Sequence, residues 1–134
     1  MPAPKSLPHA RLLIAAALPL AGALVEQLEA HGHRVLLATT PAEVARLLEA
    51  MCAGRIRPAD FLVLQGSLLT ERAHEALCSL RLRDRSMVLM VLAGEDDSTG
   101  RGFASRLRAA IVLDPVQRRD VDFIAKFADR RSVA

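Results

Sequence analysis

The chain has 134 residues, 51% of them hydrophobic and 25% charged, which fits one globular domain with a sizeable core and excludes a disordered chain. With 3% aromatics and neither Trp nor Tyr, it carries no ring platform on which nucleic-acid bases could stack. Net charge is +3 but unevenly spread: from Thr99 to Arg119, Arg101, Arg106, Arg108, Arg118 and Arg119 stand against a single acid, Asp114.

Residues 1–10 include Pro2, Pro4 and Pro8 without periodicity, and are expected to form a flexible arm. The next stretch, KSLPHARLLIAAALPLAGALVEQ, imitates a secretory signal, with a basic start and an apolar run ending near AGA. Pro19 interrupts that run, which then passes into the amphipathic ALVEQLEAHG. RLLIAAA therefore reads as a buried strand, and Leu20, Leu24, Val25 and Leu28 as one face of a helix stopped at Gly32. The run is too short to span a bilayer, so no membrane insertion is expected.

HRVLLAT is the second strand. In TPAEVARLLEAM, Thr40 can cap a helix, Pro41 suits its first position, Glu43 completes a capping box, and Val44, Leu47, Leu48 and Met51 form its apolar face. DFLVLQ is the third strand, and a third helix runs from about Thr70 to Leu82 with Ala73, Leu77 and Leu80 inward. SMVLMVLAG is the fourth strand, followed by the polar EDDSTG and a short helix around Phe103 and Leu107. AAIVLDP is the fifth strand, and the last helix turns Val121, Ile124 and Phe127 or Ala128 inward.

Five apolar runs alternating with five amphipathic helices predict parallel strands joined by right-handed crossovers. The expected fold is α/β: a doubly wound, flavodoxin-like sheet in the order 2-1-3-4-5, with helices on both faces. One domain is expected over residues 11–128, with a tail at 129–134. Burial is expected at Leu13, Ile14, Val35, Leu36, Leu62, Val63, Leu89, Met90, Ile111 and Val112. Cys52 and Cys78 lack C-x-x-C spacing, which suggests neither zinc nor a disulfide framework and fits a reducing cytosol. His31 and His33 have no third ligand nearby in sequence and are expected as turn or surface histidines.

In such a sheet the loops after strands 1, 3, 4 and 5 converge. The chain has no G-x-G-x-x-G and no G-x-x-x-x-G-K-[ST], so the usual dinucleotide and triphosphate cradles are missing. Glu95, Asp96 and Asp97 could approach Asp114, but a solvated acidic loop is the expected arrangement rather than a metal site. No cofactor is expected.

The framework resembles the receiver domain of bacterial two-component response regulators over about residues 11–128. RLLIAAALPLAGALVEQLEAHGHRV resembles the first strand and helix of that family, LATTPAEVARLL the second pair, and DFLVLQG, VLMVLA and IVLDPV strands three to five. The resemblance implies an acidic pair after strand 1 and an Asp ending strand 3 that hold Mg²⁺, the same Asp taking the phosphoryl group. It also implies a hydroxyl ending strand 4 and a lysine before the proline after strand 5. Those positions fall on Ala15, Ala16, Gln65, Leu92 and Asp114, and all depart from the pattern. Magnesium wants hard oxygen ligands, a carboxamide cannot become an acyl phosphate, and Asp114 puts negative charge where transfer needs positive. Gln65 is expected to close the strand end with hydrogen bonds instead.

The implied reading is a degenerate receiver, not an enzyme, that works as a phosphorylation-independent signalling module through protein contacts. The family's usual contact face, helix 4, strand 5 and helix 5, would present Arg101, Phe103, Arg106, Arg108, Ile111, Arg118, Arg119 and Asp122 to an acidic protein partner or to a second copy. The alternative is a sensor of a small molecule, such as a cyclic dinucleotide, gripped by arginines of RLRDR, GRGFASRLR and QRRD. No helix-turn-helix or wing follows the sheet, so autonomous DNA binding is not expected.

Overall fold

Each of the five apolar runs forms a strand, and each strand is followed by a helix. The computed structural model describes residues 10–113 and 116–133. Its elements are β1 (Arg11–Ala15), α1 (Leu20–Ala30), β2 (Arg34–Ala38), α2 (Pro41–Cys52), β3 (Phe61–Gln65), a 3-10 turn (Gly66–Leu68), α3 (Glu71–Arg83), β4 (Val88–Ala93), α4 (Ser98–Leu107), β5 (Ala110–Leu113) and α5 (Arg118–Val133). The strands are parallel and ordered β2-β1-β3-β4-β5, as the alternation predicts.

Successive strand residues point to opposite faces, so the sheet divides the core in two. Leu13, Leu62, Leu64, Leu89 and Val91 pack with Val44 and Leu48 of α2, Leu77 of α3 and Leu107 of α4. Leu12, Ile14, Phe61, Val63 and Met90 pack with Leu24 and Leu28 of α1 and with Ile124 and Ala128 of α5. Burying each such large side chain contributes roughly 1.5–3 kcal/mol, which makes the three inner strands the stability centre.

Local signals place the helix starts. The Thr40 hydroxyl accepts the Glu43 N–H at 3.2 Å. Glu43 reaches back one residue further than a capping box would, to the Thr39 N–H at 3.1 Å. Thr70 caps α3 by accepting the Ala73 N–H at 3.2 Å. Gly32 follows α1 with φ +87°, a conformation that costs glycine little, and so lets the chain turn directly into β2.

Some expectations about burial and extent need correction. Leu36 and Ile111 are 41% and 44% exposed, and Val35 and Val112 only half-buried. They lie on β2 and β5, the two edges of the sheet, where one flank has no neighbouring strand to cover it. Ala10, expected in the loose arm, is buried and donates its N–H to His33 Nδ1 at 3.2 Å. The stretch 129–133, expected as a tail, continues α5. No helix among the described residues is long and apolar enough to cross a membrane.

Candidate functional site

At the carboxyl edge, β3 delivers Gln65 beside Leu92 of β4, its in-register partner. Ala15 and Ala16 are fully buried, with the Ala16 N–H donated to the Ala38 carbonyl at 3.1 Å. The next N–H, that of Ala17, is donated to Gln65 Oε1 at 2.8 Å. The carboxamide thus ties the loop after β1 to the end of β3, and the expected edge-closing role of Gln65 takes this form. Asp114 lies outside the described residues.

The described residues at this edge do not fit a magnesium ion. Ala15, Ala16 and Leu92 present hydrocarbon only, and the side-chain oxygen of Gln65 already accepts a backbone N–H. Asp97 does reach the end of β3, but as a structural group. Its Oδ1 accepts the Gly100 N–H at 2.8 Å and caps α4, while Oδ2 lies so close to Gly66 that a Cβ there would clash with it. Glu95 and Asp96 are exposed. No group of three His, Cys, Asp or Glu side chains placed to hold a metal ion occurs among the described residues. Beside this edge, between the loop after β1 and the start of α5, a cleft of about 660 Å³ is lined by Leu18, Ala23, Gln65, Val116, Arg118 and Asp122, among others.

The expected contact face is assembled in part. Arg106, Arg108, Arg118 and Arg119 are exposed and Ile111 is 44% open. Arg101 and Asp122 are half-buried, and the Arg101 Nε donates to the Gly94 carbonyl at 3.0 Å. Phe103 does not belong to the surface: it is 4% exposed and stacks on His74 at 4.9 Å between ring centres. Arg106 covers its ring at 5.7 Å, which fixes one of the arginines of that face over a buried aromatic. Arg108 ends α4 at φ +55°, an uncommon conformation for a side-chain-bearing residue.

One constellation escapes the sequence reading. His33 is buried, not a surface residue, and its Nε2 lies 2.7 Å from Asp129 Oδ1. Because Nδ1 accepts the Ala10 N–H, Nε2 carries the proton and donates it to the carboxylate. His31, which is exposed as expected, sits with Nδ1 2.6 Å from the other oxygen of Asp129. Burial opposes ionisation of Asp129, but the two imidazole donors outweigh it and hold its carboxyl below the usual carboxylate range. The trio pins the α1–β2 turn to α5.

Comparisons with known proteins bear on the fold. The sequence matches no protein-family model and no curated protein. Among solved structures it is similar to a CheY-like response regulator receiver domain protein of Methanospirillum hungatei, with TM-score 0.66 and 20% identity over 92% of this chain and 96% of that one. A response regulator receiver domain protein of Clostridium thermocellum gives 0.65 and 19%, over 91% and 95%. A structure described as an adenylate cyclase from Rhodopirellula baltica gives 0.66 and 16%, over 92% and 90%. The fold is that of a receiver domain. At such identities the likeness establishes architecture, and function has to be argued from the site.

Proposed function

We propose that this chain is a phosphorylation-independent, receiver-like signalling module that acts by protein contact. The observation that carries the reading is the hydrogen bond from Ala17 N–H to Gln65 Oε1, which closes the edge where a phosphoswitch would hold its metal and acceptor. The buried methyls of Ala15 and Ala16 and the side chain of Leu92 add no oxygen to it. The elements α4, β5 and α5 carry the exposed cations Arg106, Arg108, Arg118 and Arg119, and Ile111 of β5 is 44% open. Such a surface suits an acidic partner protein, with charge setting orientation and association rate.

Two measurements test this. Incubation with acetyl phosphate and Mg²⁺, read by intact mass, should leave wild type and Gln65→Asp unmodified, because a lone restored carboxylate lacks the metal ligands and the cation that neutralise a transferring phosphoryl group. A stoichiometric phosphoryl gain on either protein would refute the reading. For the surface, the double reversal Arg106→Glu with Arg108→Glu should slow association with a partner captured from the native cell and leave folding within about 0.5 kcal/mol. Unchanged association would move the contact elsewhere. Saturable binding of a cyclic dinucleotide abolished by the same reversals would replace the protein partner with a ligand.

A further inference from the structure

The amino ends of the strands, opposite the edge described above, gather three arginines that form no ion pair with a described residue. Arg11 and Arg34 open β1 and β2 and are in-register neighbours in their parallel ladder. Alternation along the strands places them on the face of Leu13 and Leu36, the side on which α2 packs. Like charges side by side on adjacent strands repel. The chain leaving α2 then runs through RIRP and brings Arg57 to the same place. Between these elements lies a cleft of about 390 Å³, rimmed by Arg11, Arg34 and Arg57 and floored by Leu36 and Ile56, with no acid in its lining.

Four other arginines of the fold are engaged. Arg72 holds Glu49 through two hydrogen bonds, Arg81 caps the Leu107 carbonyl, Arg83 binds the Cys52 carbonyl and Arg101 that of Gly94. None of the three rim guanidiniums forms an ion pair or hydrogen bond with any described residue. Asp60 and Asp84 line an adjoining hollow with Arg11 and Arg57, but neither carboxylate forms an ion pair with those guanidiniums. Asp60 Oδ2 accepts the Arg11 N–H at 3.1 Å, and Asp84 Oδ1 accepts the N–H and hydroxyl of Ser86 at 2.9 and 2.6 Å.

We propose that this cleft binds a small organic phosphate, its phosphate group held among Arg11, Arg34 and Arg57 and its apolar body laid on Leu36 and Ile56. Three guanidiniums exceed the single charge of a carboxylate and match the three oxygens and near-double charge of a phosphomonoester, which the guanidinium fork grips two at a time. The apolar floor favours a ligand carrying hydrocarbon over the inorganic ion. The volume sits near the lower end for small-molecule pockets, and no ring lines it, so a compact alkyl or aryl group fits better than a stacked nucleobase. The site uses none of the residues on which the proposed signalling function rests, and either reading can fail alone.

The test is titration of the ¹⁵N-labelled full chain with phenyl phosphate, with inorganic phosphate and phenol as comparisons and calorimetry for affinity. Backbone amides of Arg11, Arg34–Leu36 and Arg55–Arg57 should shift together and saturate. Phenyl phosphate should bind about tenfold more tightly than inorganic phosphate, since burial of the ring adds to the ionic contact. Arg34 and Arg57 are exposed, so Arg34→Gln and Arg57→Gln should fold normally and each weaken phenyl phosphate about tenfold or more. Four outcomes overturn the proposal: no saturation up to about 10 mM, affinity for phenyl phosphate no greater than for phosphate, shifts gathered instead around Arg101–Arg119, or binding indifferent to Arg57→Gln.

Discussion

Replacing Asp129 by alanine removes the acceptor shared by two histidines 96 and 98 residues away, and the structure sets the expected cost. The side chain of His33 is 2% exposed, so its Nε2–H would lose a 2.7 Å partner with no route to water. A buried donor left unpaired costs about 1–3 kcal/mol. The side chain of His31 is 32% exposed and can turn to solvent, which limits its share to about 0–1 kcal/mol. The variant should therefore lose about 1–4 kcal/mol by urea unfolding at neutral pH, with an unchanged m-value. The pH dependence has a definite sign. The folded carboxyl titrates below its unfolded counterpart, so its contribution is complete above the ordinary carboxylate range and disappears as pH falls through the lowered folded value. The gap between wild type and Asp129→Ala should hold at pH 5–7 and narrow on acidification below about 4. A loss under about 0.5 kcal/mol, or a gap that stays flat as pH falls, would mean that the trio does not anchor α5.

Val63 is fully buried on the central strand, and Val63→Ala should cost about 2–3 kcal/mol by chemical denaturation; a smaller loss would mean a loosely packed sheet centre. Gly66→Ala would drive a methyl onto Asp97 Oδ2 and against the Gly100 Cα at 3.1 Å, displacing the cap of α4. It should lose about 1–3 kcal/mol and speed amide exchange at Gly100, and unchanged exchange there would refute the contact. Arg108→Gly relieves a residue at φ +55° and should raise stability by up to about 1 kcal/mol. If it destabilises, the Arg108 side chain holds more than the backbone geometry reveals.

The inner strands were legible because a run such as FLVLQ, covered on both faces, must be apolar throughout, and its partners in the sheet are apolar for the same reason. That same signal misleads at the edges. RVLLA and AIVL are as apolar as RLLIA, but β2 and β5 each lack a strand on one flank, and Leu36, Leu37 and Ile111 stand open in consequence. Phe103 shows a different limit: its spacing from Leu107 marks a helix face, and only the packing of α4 over His74 decides that the ring turns inward. Gln65 could be placed at a strand end from the pattern, whereas its partner, Ala17, depends on how β1 and β3 lie side by side. Asp129 carries no local mark at all. Nothing within several residues of it hints at a histidine, and the trio exists only because α5 folds back beside α1.

The anchoring of α5 also makes it a lever. Its backbone is helical from Arg118 to Val133, and the histidine clasp holds it at residue 129, within about one turn of that last helical residue. A helical segment spliced in register after Val133 would inherit a fixed direction, advancing about 1.5 Å and turning about 100° with each residue added. Chimeras differing by one residue in the splice would therefore swing an attached reporter around the axis of α5 in steps, and distances measured to a label on α2 would rise and fall with a period of about 3.6 residues.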